Sequence, residues 1–176
     1  MKTLQELSEA FQTANLVHIQ AVDKKREAKV ALDLADGNLA KAKKQFDSAE
    51  DSFKKARENK RYAGYEADNK YYILIKDKVD ETTPENMAKS QEAFDIARSR
   101  HIALINDERI AEFEKDLSVK EYSLRDELRT KAKHAHSAAE REEEKAADLA
   151  RKAFDEFAKR QFEETGKLDF NKKGDK

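Results

Sequence analysis

Apolar and small residues recur along the first half of the chain with a period of seven. Alanine occupies positions 14, 21, 28, 35, 42, 49, 56 and 63 without a miss. Four residues after each stand His18, Lys25, Leu32, Leu39, Phe46, Phe53, Lys60 and Ala67. Leu4, Leu7 and Phe11 open the same frame and Leu74 closes it. A seven-residue repeat of this length predicts one long helix with a single seam wound against a partner helix. A methyl group cannot fill an ordinary interhelical gap, so the alanine row requires a close approach of the axes, about 8 Å. The first helix is expected from about Lys2 to Asp77. Asp36, Gly37 and Asn38 form a turn signal inside it, but the alanine frame crosses that point in phase, which favours a continuous helix over a corner.

The helix-breaking signal comes at Thr82, Thr83, Pro84 and Glu85. Thr83 suits an N-cap, Pro84 the first helical position and Glu85 the positive end of the helix dipole. A second helix is expected from Pro84 to about Thr165, with Gly166 as its C-terminal cap. Its alanines at 97, 111, 132, 139, 146 and 153 share one seven-residue phase, with Leu104, Ser118 and Arg125 in the gaps. The two arms are nearly equal. Folding at residue 81 or 82 pairs positions whose numbers sum to about 163. That sets Lys24, Lys25 and Arg26 within a turn or so of Glu140, Glu142, Glu143 and Glu144. The predicted fold is therefore all-α, a long antiparallel helical hairpin with an alanine-rich coiled-coil seam. Residues 1–165 form the hairpin, with its bend near 78–84, and residues 166–176 form a mobile polar tail. A kinked three-helix bundle with a corner at Gly37, and a dimeric four-helix bundle, are the alternatives.

Composition agrees with this pattern. Charged residues make up 41% of the 176-residue chain, with only four glycines and one proline, the profile of long helices. The 36 basic and 37 acidic residues balance, which argues against nucleic acid as a partner. There is no cysteine, so neither a disulfide framework nor a thiol nucleophile is available. No stretch has the apolar length of a signal peptide or a membrane span, and synthesis in a cytoplasm is expected, with release by a non-signal route left open.

Candidate chemistry is sparse. His134 and His136 are two apart and point to different sides of a helix. With His18 and His101 they form no metal-binding spacing. No glycine-rich phosphate loop or nucleophile elbow is present. The acidic run at 140–144 lacks the concave pocket that paired acid and base catalysis needs. No enzyme activity, cofactor or metal is expected. What exceeds the needs of a two-helix seam is the apolar surface near the bend. Residues 71–75 are aromatic or aliphatic all round the helix, and one partner helix covers only one face. Tyr65, Tyr71, Tyr72, Ile73, Ile75, Val79 and Met87 are therefore the candidate partner-binding residues, tyrosines being effective interface anchors.

Strings such as Lys29-Val30-Ala31-Leu32-Asp33-Leu34-Ala35 and Gln91-Glu92-Ala93-Phe94-Asp95, on two equal arms joined by an aromatic bend, resemble the receptor-binding hairpin of colicins. The resemblance spans residues about 10–160. It implies an antiparallel coil that contacts a receptor through its apex, and assigns no role to any single residue. The expected function is a non-enzymatic coiled-coil module, of receptor-binding or inhibitor/adaptor type, that presents its bend to a protein partner. The alternative is a structural spacer that self-associates through the tyrosine-rich region as a homodimer.

Overall fold

The structure, a computed structural model, describes residues 2–80 and 82–166. Helix α1 spans Leu4–Val79 and helix α2 spans Pro84–Thr165, and the two pack against each other as an all-α hairpin. Of the expected polar tail at 166–176, all but Gly166 lies outside the described residues.

Each helix is started by chemistry written in the sequence. At α1 the Glu6 amide donates to Thr3 Oγ1 at 3.2 Å while the Thr3 amide donates to Glu6 Oε2 at 2.7 Å, a reciprocal cap. At α2 the Thr83 hydroxyl accepts from the Asn86 amide at 3.4 Å, ahead of Pro84. Helix α1 runs two residues beyond the expected Asp77, and its end is closed by the Asp80 amide on the Lys76 carbonyl at 2.9 Å. Asp77 then ties the bend together. Its carbonyl accepts from the Thr82 hydroxyl at 3.1 Å and its carboxylate from the Ser90 hydroxyl. Gly166 closes α2 with a positive φ of 64°, its amide bonded to the Phe162 carbonyl at 2.9 Å.

Burial follows the heptads. Leu7, Ala21, Ala42, Ala63, Ala67 and Leu74 of α1 and Ala97, Ala111, Ala139, Ala146 and Ala150 of α2 are buried at the seam, their heptad neighbours such as Phe46, Phe53, Leu104 and Tyr122 are half-buried, and the outer faces are exposed. The hairpin divides into two compact units, one of the residues up to Gly37 with those from Glu127 onward, the other Asn38–Asp126. In the first unit Phe11 packs on Phe154 and Phe157, at 5.3 and 6.3 Å between ring centroids. Lys25 binds Glu143 at 2.7 Å and Lys24 approaches Glu142 at 3.8 Å, as the charge blocks predicted. The hydrogen bond to Glu143 holds the Lys25 pKa above its ordinary 10.5. A raised lysine pKa stabilises the fold below its unfolded value, so this contribution is lost only as the pH climbs beyond that point.

In the second unit the seam alternates alanine layers with larger ones. Phe46 stacks on Tyr122 at 6.2 Å, the Lys115 ammonium sits 4.8 Å from the Phe53 ring centroid, and Lys60 pairs with Glu108. His101 lies against Gly64, its Nε2 3.4 Å from where a β-carbon would stand.

The register corrects the expected one. Residue 25 meets 143, 46 meets 122 and 60 meets 108, and each pair of numbers adds to 168, not 163. The reason is the seam itself. A sum of 163 would set Ala63 level with Arg100 and Ala42 level with Glu121, both off the alanine row of α2, whereas a sum of 168 matches the second seam row of each helix and leaves the alanine rows within one residue of level, as Ala21 with Ala146 and Ala28 with Ala139.

Gly37 is not a corner, so the three-helix alternative is overturned: α1 passes through it without interruption. The residue is exposed and a β-carbon there would meet nothing within 4 Å. Gly37→Ala should therefore raise stability by about 0.5–1 kcal/mol, the backbone-entropy and propensity gain at an exposed helical site. A chemical-denaturation midpoint unchanged or lowered by this substitution would contradict a helical Gly37.

Candidate protein-binding surface near the bend

Helix α1 arrives at the bend with its seam rows at Ala63, Lys70 and Asp77 and at Lys60, Ala67 and Leu74. Leu74 fills the seam and is only 2% exposed. Tyr72 lies two residues from both Lys70 and Leu74. Two residues is about 200° of helical rotation, so Tyr72 points directly away from α2. Tyr65 and Val79, one heptad to either side, share that direction. The three form one outward row with exposures of 59% at Tyr65, 71% at Tyr72 and 74% at Val79. Tyr62 joins the row one turn earlier, with the Arg61 guanidinium 5.7 Å from its ring centroid.

The other expected site residues fall elsewhere. Tyr71 turns toward the seam, where its ring packs at 5.3 Å on Phe94, so part of its surface serves the hairpin. Ile73 and Ile75 are exposed, at 44% and 39%, but two residues apart they lie on opposite flanks of α1. Met87 is half-buried on the first turn of α2. The seven candidates thus resolve into a row of three, a seam-bound tyrosine, two flanking isoleucines and a methionine on the neighbouring helix.

Two ion pairs lie beside this surface, one along α2 and one between the helices. Arg100 binds Glu66 at 3.2 Å and Lys89 binds Glu85 at 2.8 Å. Both pairs are exposed, where each contributes little energy and mainly solvates the helix faces. Among the described residues no group of three or more His, Cys, Asp or Glu side chains is placed to hold a metal ion. None of the helices among them is long and apolar enough to cross a membrane. The surface presents rigid aromatic faces with hydroxyl tips on a helical support. No family model matches the chain, and no curated protein or solved structure matches it.

Proposed function

We propose that the chain is a non-enzymatic coiled-coil binding module that presents the outward tyrosine face beside its bend to a protein partner. One observation carries this reading. Tyr65, Tyr72 and Val79 are large apolar side chains held opposite the seam, where Leu74 and the Tyr71–Phe94 contact already provide the packing. Exposed apolar groups aligned on one face mark interaction surfaces, here at a spacing of about 10.5 Å along the helix. Tyrosine loses little rotamer entropy on binding and buries much area. The likeness to the receptor-binding hairpin of colicins supports a receptor as the partner type, and an inhibitor or adaptor would use the same face.

The whole chain, used as bait, should retain its partner, and Tyr65→Ala and Tyr72→Ala should each weaken that complex by about 1–3 kcal/mol. Circular dichroism melts of both variants should stay at the wild-type temperature, because neither ring supports the seam. Tyr71→Ala is the contrast: it should lower stability by about 0.5–1.5 kcal/mol through loss of the Phe94 contact. Retention of the partner at full affinity by the Tyr65→Ala/Tyr72→Ala double variant would remove the basis for this function. A dimer that Tyr72→Ala dissolves would favour the self-associating spacer instead.

A further inference from the structure

A second apolar row runs along α2 on a face that the hairpin leaves uncovered. Ile96, Ala103, Ile110, Leu117 and Leu124 succeed one another at seven-residue intervals, and Lys89 and Lys131 bound the row one heptad out at either end. All five are exposed, at 63% for Ile96, 58% for Ile110, 49% for Leu117 and 53% for Leu124. Three residues after each of the first four stand Ser99, Asn106, Phe113 and Lys120. The two sets interleave with alternating spacings of three and four, the spacing of a coiled-coil seam. Of these nine positions only Lys120 is charged, in a chain that is 41% charged.

We propose that this face is a second helical seam, filled by the same face of a second copy running antiparallel. The period selects the partner. Burial on α2 repeats strictly in heptads, so the helix is coiled to that repeat and the outer row stays on one side of it. A surface that covers five such turns must itself repeat every seven residues, and this row does. Size selects the same answer. At about half exposure each large side chain offers on the order of 100 Å², so two copies would bury about 1,000 Å² or more from the row with Phe113, enough for a specific interface.

Charge and volume select the direction. A parallel, in-register pair would oppose Lys120 to Lys120 and Phe113 to Phe113. A two-fold axis at Ile110 sets Leu117 across from Ala103 and Phe113 beside Asn106, large against small. It also brings Lys120 to Ser99 and Arg100 toward Glu121; at each end, outside the apolar row, Lys89 comes level with Lys131, where Lys89 is already paired with Glu85. Asp107 and Glu114 meet at the rim, where water screens them. The tyrosine row of α1 takes no part, so the dimer and the partner-binding surface are independent.

Light scattering on the full chain from about 1 to 200 µM, the range of a modest interface, should show the mass rise from one chain toward two. Ile110→Glu places two like charges at the axis and should raise the dimer dissociation constant about a hundredfold or more. Its helical content should be unchanged, because Ile110 faces away from α1, and Tyr72→Ala should dimerise like the wild type. The chain has no cysteine, so engineered thiols report alone. Ile96→Cys mixed with Leu124→Cys should give disulfide-linked heterodimers, and Leu124→Cys alone should give few. A wild type monomeric throughout, an Ile110→Glu protein that dimerises normally, or Leu124→Cys crosslinking to itself in preference would each overturn the proposal. None of these outcomes bears on partner binding by the tyrosines.

Discussion

The double substitution Ala42→Leu/Ala63→Leu should lower stability by about 2–6 kcal/mol, the largest effect expected anywhere in this molecule. Both alanines are almost fully enclosed by the seam, Ala42 at 3% and Ala63 at 4% exposure. At Ala63 the three extra carbons meet only an open groove bordered by Glu66, Arg100 and Leu104, and at Ala42 they meet the seam itself. They must push the helices apart or adopt strained rotamers, and overpacking of this kind costs about 1–3 kcal/mol per site. The sites are far enough apart, about 30 Å along the helix, for the two costs to add. Thermal and denaturant melts of the single and double variants measure this directly. Ala146→Leu, at 5% exposure in the other unit, should behave as a single. Variants that melt at or above the wild-type temperature would mean that the alanine rows do not set the helix spacing.

Leu74→Ala is the second large effect, and it acts by removal. Leu74 is the least exposed side chain among the described residues, at 2%. It sits at the seam one turn beyond Tyr71, and the register places it level with Phe94. Leucine-to-alanine changes in cores cost about 2–5 kcal/mol, and a two-helix seam can partly close the gap, so about 2–3 kcal/mol is expected here. The loss should be felt first at the bend. Hydrogen exchange should accelerate at residues 70–79 and 84–97 more than at the far ends of the helices. The comparison with Tyr72→Ala, two residues away, is the informative one: Leu74→Ala should cost stability and Tyr72→Ala should cost binding. Equal melting temperatures for the two would show that burial at the seam does not support the bend.

The seam charges are consistent with this view of where stability resides. Lys60 and Glu108 pair at seam positions with part of each side chain in water, as do Lys25 and Glu143. Such pairs add little net energy but fix which residue meets which, because a one-heptad slip would break both, setting Lys60 against His101 or Lys115 and Glu108 against Phe53 or Ala67. Alanine rows are poor at this task. One alanine looks like the next, and the row alone would tolerate a slip of a whole heptad.

The periodicity of the chain determined the two helices, their seam faces and the break at Pro84, because a helix's apolar stripe and caps are local properties of the sequence. At Gly37 it favoured a continuous helix, because the alanine frame is in phase on both sides, but left a corner open, and the structure runs α1 through. The outward placement of Tyr65, Tyr72 and Val79 was equally implicit in the heptad count, although composition drew attention to the whole stretch from 71 to 75. Tertiary structure decided the rest. The register could not be had from arm lengths, because the bend uses its residues unequally, with Asp77 gripping Thr82 and Ser90 across it. Tyr71 and Tyr72 are adjacent, chemically identical and both exposed, at 52% and 71%, and only the packed partner, Phe94, distinguishes the ring that touches α2 from the one that does not. The free row on α2 shows the same limit, since a heptad of isoleucines and leucines marks a seam in sequence, and only the placement of α1 on the alanine face leaves that row facing water.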